Sequence, residues 1–437
     1  MEYVTPMELN IGQTARCTNI VTEFSASSKA PANALRGCAR SRFGARERGL
    51  SLVELMISLL LGAMVTMGVI QLFVANSKTH TLLVGQSRMQ ESARFALEFM
   101  GRAIRTAGYR GCYSGVDRLY SVPDVVTNPT FDPALTTINY EFNVLVPIVG
   151  YEGAGGGWIP AIDGDLPNSY PTEDENVHVL DTSGFGAGNG VDHETIQAGT
   201  DIVTLRGISS NSYLLAADMG SLVAPVVLVD DDPTEALDFD DDHLVVISDC
   251  DKSSVFRITG APGRAGGTVT LNHGVGDFDE PRNEVTNIHS TQRYMQVDSA
   301  LAAIESKTFY IAASEGVNND GNPVLSLWRK VGVNAPVELV EGVEDLQVLY
   351  GQDIDGDGVP NHYVTAQDIV SEIVTIRVAV VVNSVDNVDA TSQPTQGCTI
   401  TRRDPAGELE DVDVCIDGGA VDGLLRRSFT QTVMLRN

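Results

Sequence analysis

The chain has 437 residues, 58 Asp and Glu against 29 Lys and Arg, a formal net charge of −29, and 43% apolar content. That is enough apolar material for one large or two modest domains, so a disordered tail is excluded. The charge repels a phosphate backbone, which argues against nucleic-acid binding in bulk and suits solubility or a divalent cation.

Residues 1–49 read differently from the rest, with five arginines between Arg36 and Arg48. An apolar run of Leu, Met, Val, Ile, Ala and Gly follows from Leu50 to about Ala75, long enough to cross a bilayer as a helix. By the positive-inside rule the basic flank stays cytoplasmic and the acidic body is exported. An ordinary secretory signal fits less well, because Leu72-Phe73-Val74 brings no small-residue cleavage pattern to the end of the run. Glu54 is the anomaly. A carboxylate in a membrane segment costs roughly 2.5–3.5 kcal/mol on insertion scales, so it calls for a partner, unless it reaches back to the headgroups from the helix end.

Beyond Ala75 the apolar residues Leu82, Met89, Ala93, Ala96, Met100, Ala103 and Ala107 recur on one helical face, while Arg88, Glu91, Arg94, Glu98 and Arg102 line the other. One helix is predicted from Leu50 to Thr106, with Gly108 as its stop. Residues 109–200 are rich in Pro, Gly, Asn and Asp and read as a loop-rich insertion, with short strands at Val144–Val149 and a flexible turn at Gly153–Gly157. From Asp201 to Asn437 the pattern is that of short strands in a β-rich head: Ile202–Leu205, Leu222–Val229, Leu244–Ser248, Ser254–Ile258, Thr268–Leu271, Thr308–Ala312, Val324–Arg329, Val343–Tyr350, Val370–Val382 and Ser428–Leu435. An antiparallel sheet is the expected result. The runs Asp230–Asp232 and Asp238–Asp242 read as solvated loops.

The stretch Arg46-Glu47-Arg48-Gly49-Leu50, with Glu54 five residues after Gly49, resembles the class III signal of type IV prepilins. The resemblance implies cleavage by a prepilin peptidase between Gly49 and Leu50, methylation of the new amine on Leu50, and Glu54 pairing with the amine of a neighbouring subunit. The 49-residue leader is long for that family, and a start at Val21 or Leu35 would shorten it. Later stretches are similar to the PilW family of minor pilins: Arg105–Cys112, Ile247–Cys250, Thr308–Ile311, Leu325–Arg329, Glu341–Gly351, Arg426–Thr430 and Leu435–Asn437. The family implies an α+β pilin-like fold: a long amino-terminal helix, with residues 50–75 in the membrane, packed on an antiparallel sheet with a variable insertion. It further implies an inner-membrane protein with a periplasmic head that joins other minor pilins and the major pilin in the filament at the cell surface. A type II secretion pseudopilin of the J type and a pilus-borne adhesin are the alternative readings.

Four cysteines, Cys112, Cys250, Cys398 and Cys415, would reach the oxidising side, and four allow three pairings. The carboxy-terminal disulfide loop of many pilins implies Cys398 with Cys415, leaving Cys112 with Cys250. Asp353, Asp355 and Asp357 alternate, with Gly358 at the sixth position and Asn361 at the ninth, like the start of a calcium loop. Val364 stands where such a loop has its bidentate Glu, so Asp368 or Glu372 would have to complete the set, and an acidic turn without metal is the alternative. No cofactor is required by this reading, with calcium as the one candidate. No nucleophile or zinc motif marks an enzyme.

Overall fold

The computed structural model describes residues 51–112, 119–121, 146–154, 157–159, 196–241, 243–275, 283, 285–332, 334–388, 399–403, 409–413 and 423–435. The chain divides into two compact units, Met1–Met67 and Gly68–Asn437. In the first, the described residues form the start of helix α1 (Leu52–Thr106), exposed throughout. The helix runs on into the second unit.

The strands in chain order are β1 (Leu119–Ser121), β2 (Ile148–Ala154), β3 (Gly157–Ile159), β4 (Ile202–Ile208), β5 (Tyr213–Leu214), β6 (Val226–Val229), β7 (Leu244–Ser248), β8 (Ser253–Arg257), β9 (Gly263–Ala265) and β10 (Thr268–Leu271). They continue with β11 (Ala300–Val317), β12 (Pro323–Val331), β13 (Val337–Glu341), β14 (Val343–Asp353), β15 (His362–Val364), β16 (Glu372–Asn383), β17 (Thr399–Arg403), β18 (Leu409–Asp413) and β19 (Arg426–Met434). The fold is α+β. Among the described residues several sheets replace the one that the sequence suggests: a ten-stranded sheet built on β11, the three-stranded β6-β10-β9, the four-stranded β15-β14-β16-β19, and the β17-β18 hairpin. The described strand pairs are antiparallel except β1 on β8.

The long β11 organises the large sheet by changing neighbours along its length. Ala300–Ala303 pair with β7, Ile304–Phe309 with β4, and Lys307–Val317 with β12. Alternation then sorts its side chains. Phe309 and Ile311 join the core under the helix, whereas Tyr310 and Ala312 turn to the opposite face with Trp158 and Trp328. The same rule divides β16: Ile376, Val378, Val380 and Val382 face the helix core, and Ala379 and Val381 pack with Ile400 of β17.

Against that surface α1 buries Gly85, Met89, Ala93, Ala96, Met100, Gly101, Ala103 and Ile104. Spacings of three and four put these on one stripe, and the small residues let the backbone come close. Gly85 is the tightest point: a Cβ there would stand 3.0 Å from Val388 Cγ1 and 3.2 Å from Ser384 Cβ. The helix stops at Gly108, whose φ of 80° suits glycine and whose amide donates to Arg206 O at 2.8 Å.

Three readings of the sequence need correction. Strands β2 and β3 lie within the stretch read as a loop-rich insertion and join the large sheet, with Ala154 paired to Gly157. Leu222–Val229 shortens to Val226–Val229, because Ser221–Ala224 turns, with the Ala224 amide on Ser221 O at 3.3 Å. The aspartate runs are more than solvated loops. Asp230 takes Arg264 through both oxygens at 2.9 and 2.7 Å, and Asp241 accepts the Gly260 amide at 2.7 Å.

Candidate functional site

The amino-terminal half of α1 is the first candidate surface. Leu52, Leu59, Met64, Val65, Leu72 and Phe73 are each at least 65% exposed, so apolar side chains point outward on every side of the helix. This is the one helix among the described residues long and apolar enough to cross a membrane, and its most apolar window has no buried residue. Glu54 lies in the first turn, exposed, where its charge complements the helix dipole. Gly49 and Leu50, the expected processing site, lie outside the described residues.

Below that half, the helix is fastened at both ends of its buried stripe. At the carboxy end Cys112 is bonded to Cys250, with a Cα–Cα distance of 4.9 Å, which staples the residues after Gly108 to the end of β7. At the amino end Arg88 reaches Asp386 at 2.9 Å. Asp386 belongs to a knot between two loops. Asn319 donates from Nδ2 to Asn387 O at 3.2 Å, its Oδ1 accepts the Asn387 amide at 2.8 Å, and its own amide donates to Asp386 Oδ1 at 3.1 Å. Asn387 Nδ2 also donates to Asp320 at 2.8 Å. Nothing local in the sequence marks this knot, since Asn319 and Asn387 stand 68 residues apart. Cys398 and Cys415 lie outside the described residues.

A buried polar joint ties the large sheet to the four-stranded one. Asp201 accepts the Gly153 amide at 2.9 Å and the Val348 amide at 2.7 Å, and its own amide donates to Leu346 O at 2.8 Å. Burial, followed by the neighbouring Glu152 carboxylate, raises the Asp201 carboxyl well above its ordinary value. Sequence reasoning missed Asp201, whose partners lie 48 and 147 residues away.

The Asp353–Gly358 loop connects β14 to β15. Oxygens of Asp353, Asp355 and Asp357 come within 4.8 Å of one another. The Asp353 carboxylate is held by its own loop: Asp355 and Gly356 amides donate to Oδ1 at 3.1 and 2.6 Å, and the Gly358 amide to Oδ2 at 2.7 Å. Those amides, Gly358 first, keep the Asp353 carboxyl below its ordinary value. Asn361 turns its Oδ1 to the Ile354 amide at 2.7 Å. Among the described residues neither Asp368 nor Glu372 joins the acidic group. Asp368 instead accepts from Thr365 at 3.0 Å.

Residues 308–437 match the family model of PilW, described as Type IV Pilus-assembly protein W. The matched stretch supplies most of the sheet surface under α1, from Phe309 and Ile311 through Val348 and Val378 to Val433. No curated protein and no solved structure matches the chain. The match supports a type IV pilus-associated family and a role in pilus assembly, with which one apolar helix and membrane association are compatible.

Proposed function

We propose that this chain is a minor pilin that primes type IV pilus assembly and sits at or near the filament tip. Prepilin peptidase cuts after Gly49, Leu50 carries the methylated amine, and Glu54 pairs with the amine of an adjoining subunit so that neither charge stays alone in apolar surroundings. Before assembly the helix holds the chain in the inner membrane, with the acidic head on the periplasmic side. Its partners are the major pilin and other minor pilins. The observation that carries this reading is the exposure of the apolar half of α1 on every side, in a chain whose helix-bearing sheet matches a pilus-assembly family.

Deleting the chain should leave cells without pili, and wild type should restore them. Glu54→Ala should remain cleaved and membrane-bound yet fail to restore piliation, with methyl-leucine at position 50 in mass spectra of both. Normal piliation in the deletion strain overturns the assembly role, and if adhesion alone is lost, the chain is a binder carried on the filament.

A further inference from the structure

Between α1 and the Asn319–Asn387 knot lies a cleft of about 470 Å³. The helix wall carries Phe73, Val74, Ser77 and Lys78, and the opposite wall carries Asp320 and Asn387. Its size is that of a small-molecule site. Its lining is graded, apolar at Phe73 and Val74 and polar from Ser77 onward, with a cation on one wall and an anion on the other.

The sequence fixes the cleft's place along the helix. Lys78 is the first charged residue after Glu54, with 23 uncharged residues between them. At 1.5 Å per residue that stretch is about 35 Å long, slightly more than the ~30 Å hydrocarbon layer. Lys78 therefore falls at the outer membrane surface, with Phe73 and Val74 at the edge of the hydrocarbon layer and Ser77 and Lys78 among the headgroups. This step rests on α1 spanning the membrane, as proposed above.

We propose that the cleft binds one zwitterionic phospholipid headgroup bearing a primary ammonium, that of phosphatidylethanolamine. The phosphate accepts from the Lys78 ammonium, whose three donors can be shared with the contact Lys78 already makes. The lipid ammonium donates to Asp320, one oxygen of which is engaged by Asn387 while a carboxylate accepts several donors. The glycerol end lies against Phe73 and Val74. A second copy of this chain is the poorer occupant, because a head of a chain with net charge −29 repels its like, whereas a zwitterion meets both walls without net charge. Phosphatidylglycerol brings no cation for Asp320, and phosphatidylcholine brings no N–H donor. The wall is held in shape without the lipid, by the reciprocal Asn319 and Asn387 bonds and by the close approach of Gly85 to Val388.

The test uses the full chain in nanodiscs of equimolar phosphatidylethanolamine, phosphatidylglycerol and phosphatidylcholine with identical acyl chains, released into native mass spectrometry. One phosphatidylethanolamine should be retained about tenfold over phosphatidylcholine. Asp320→Asn should bring the two to parity, Lys78→Gln should lower retention, and Asp298→Asn, an exposed acid elsewhere on the head, should change nothing. Equal retention of all three lipids, a phosphatidylglycerol preference, or a phosphatidylethanolamine preference that survives Asp320→Asn overturns the site alone. A chain that does not enter the nanodiscs overturns the membrane reading and the site with it.

Discussion

Residues 52–84 and 85–106 of the same helix are both rich in apolar side chains, yet only the second stretch buries any. Met64 is 65% exposed and Met100 is fully buried. The difference lies in the outer face. Arg88, Arg94, Glu98 and Arg102 give the second stretch a charged side, with an ion pair between Arg102 and Glu98, so its apolar residues are confined to one stripe that a sheet can cover. From Leu55 to Ser77 no charge marks a side, and the apolar surface is suited to an apolar solvent on all sides. Periodicity of the polar residues, more than the count of apolar ones, decides which half becomes part of a protein core.

The largest expected effect tests that division directly. Met100→Ala should lower the unfolding free energy of the full chain in detergent by about 2–5 kcal/mol, the usual cost of a buried large-to-small change. Met64→Ala should leave it within about 0.5 kcal/mol, as for surface positions. Urea titrations followed by tyrosine and tryptophan fluorescence of the head measure both. Similar losses at the two positions would erase the distinction between the halves.

Glycines sharpen the same contrast. Gly85→Val pushes side-chain atoms into Val388 and Ser384, and overpacking of this kind costs about 1–3 kcal/mol. Gly62 has nothing within 4 Å of its missing Cβ, so Gly62→Val should be neutral or gain a few tenths of a kcal/mol in helix propensity. Thermal melts of the two variants side by side check this.

Much of the covered half was legible in the sequence. Met89, Ala93, Ala96, Met100 and Ala103 fall at helical spacing and all are buried, and Leu346, Val348 and Tyr350 alternate beneath the helix, after a register shift between Val343 and Asp345. The five-residue β13 escaped notice because two of its residues are Glu and only Val340 is buried, so it presents no apolar face. The polar fastening at the amino end of the buried stripe left no trace either. Arg88 and Asp386 are 298 residues apart, and an arginine on an outer face reads as solvent until its partner loop is seen. Asp230, read as one of a solvated run, is claimed by an arginine 34 residues on. Pattern reports which face is inward, while long-range polar contacts depend on a register that no local window contains.

The joint beneath the covered half should make stability depend on pH. A carboxyl whose folded value is raised binds a proton more tightly in the native state than in the unfolded one. The stability it contributes is fully present below the ordinary value of 3.8 and is lost as pH rises through the raised folded value. Unfolding free energies measured from pH 4 upward should therefore carry a falling component from Asp201. Glu152→Gln removes the second cause of the shift, the neighbouring charge, and should flatten that component; an unchanged slope would leave burial as its main origin.

The smallest effect belongs to the outer face. Arg88 and Asp386 meet at 2.9 Å, but their side chains are 59% and 39% exposed, and exposed pairs are typically worth about 0.2–1 kcal/mol. Arg88→Ala should stay within that range and shrink further in high salt, which screens an exposed pair. Asp386→Ala removes more than the pair, since the same carboxylate accepts the Asn319 amide in the knot. A double-mutant cycle over the two residues separates these contributions. A coupling below about 1 kcal/mol, with Asp386→Ala the costlier single change, would show that the helix is held at this end by packing at Gly85 and by the knot, with the ion pair a minor addition.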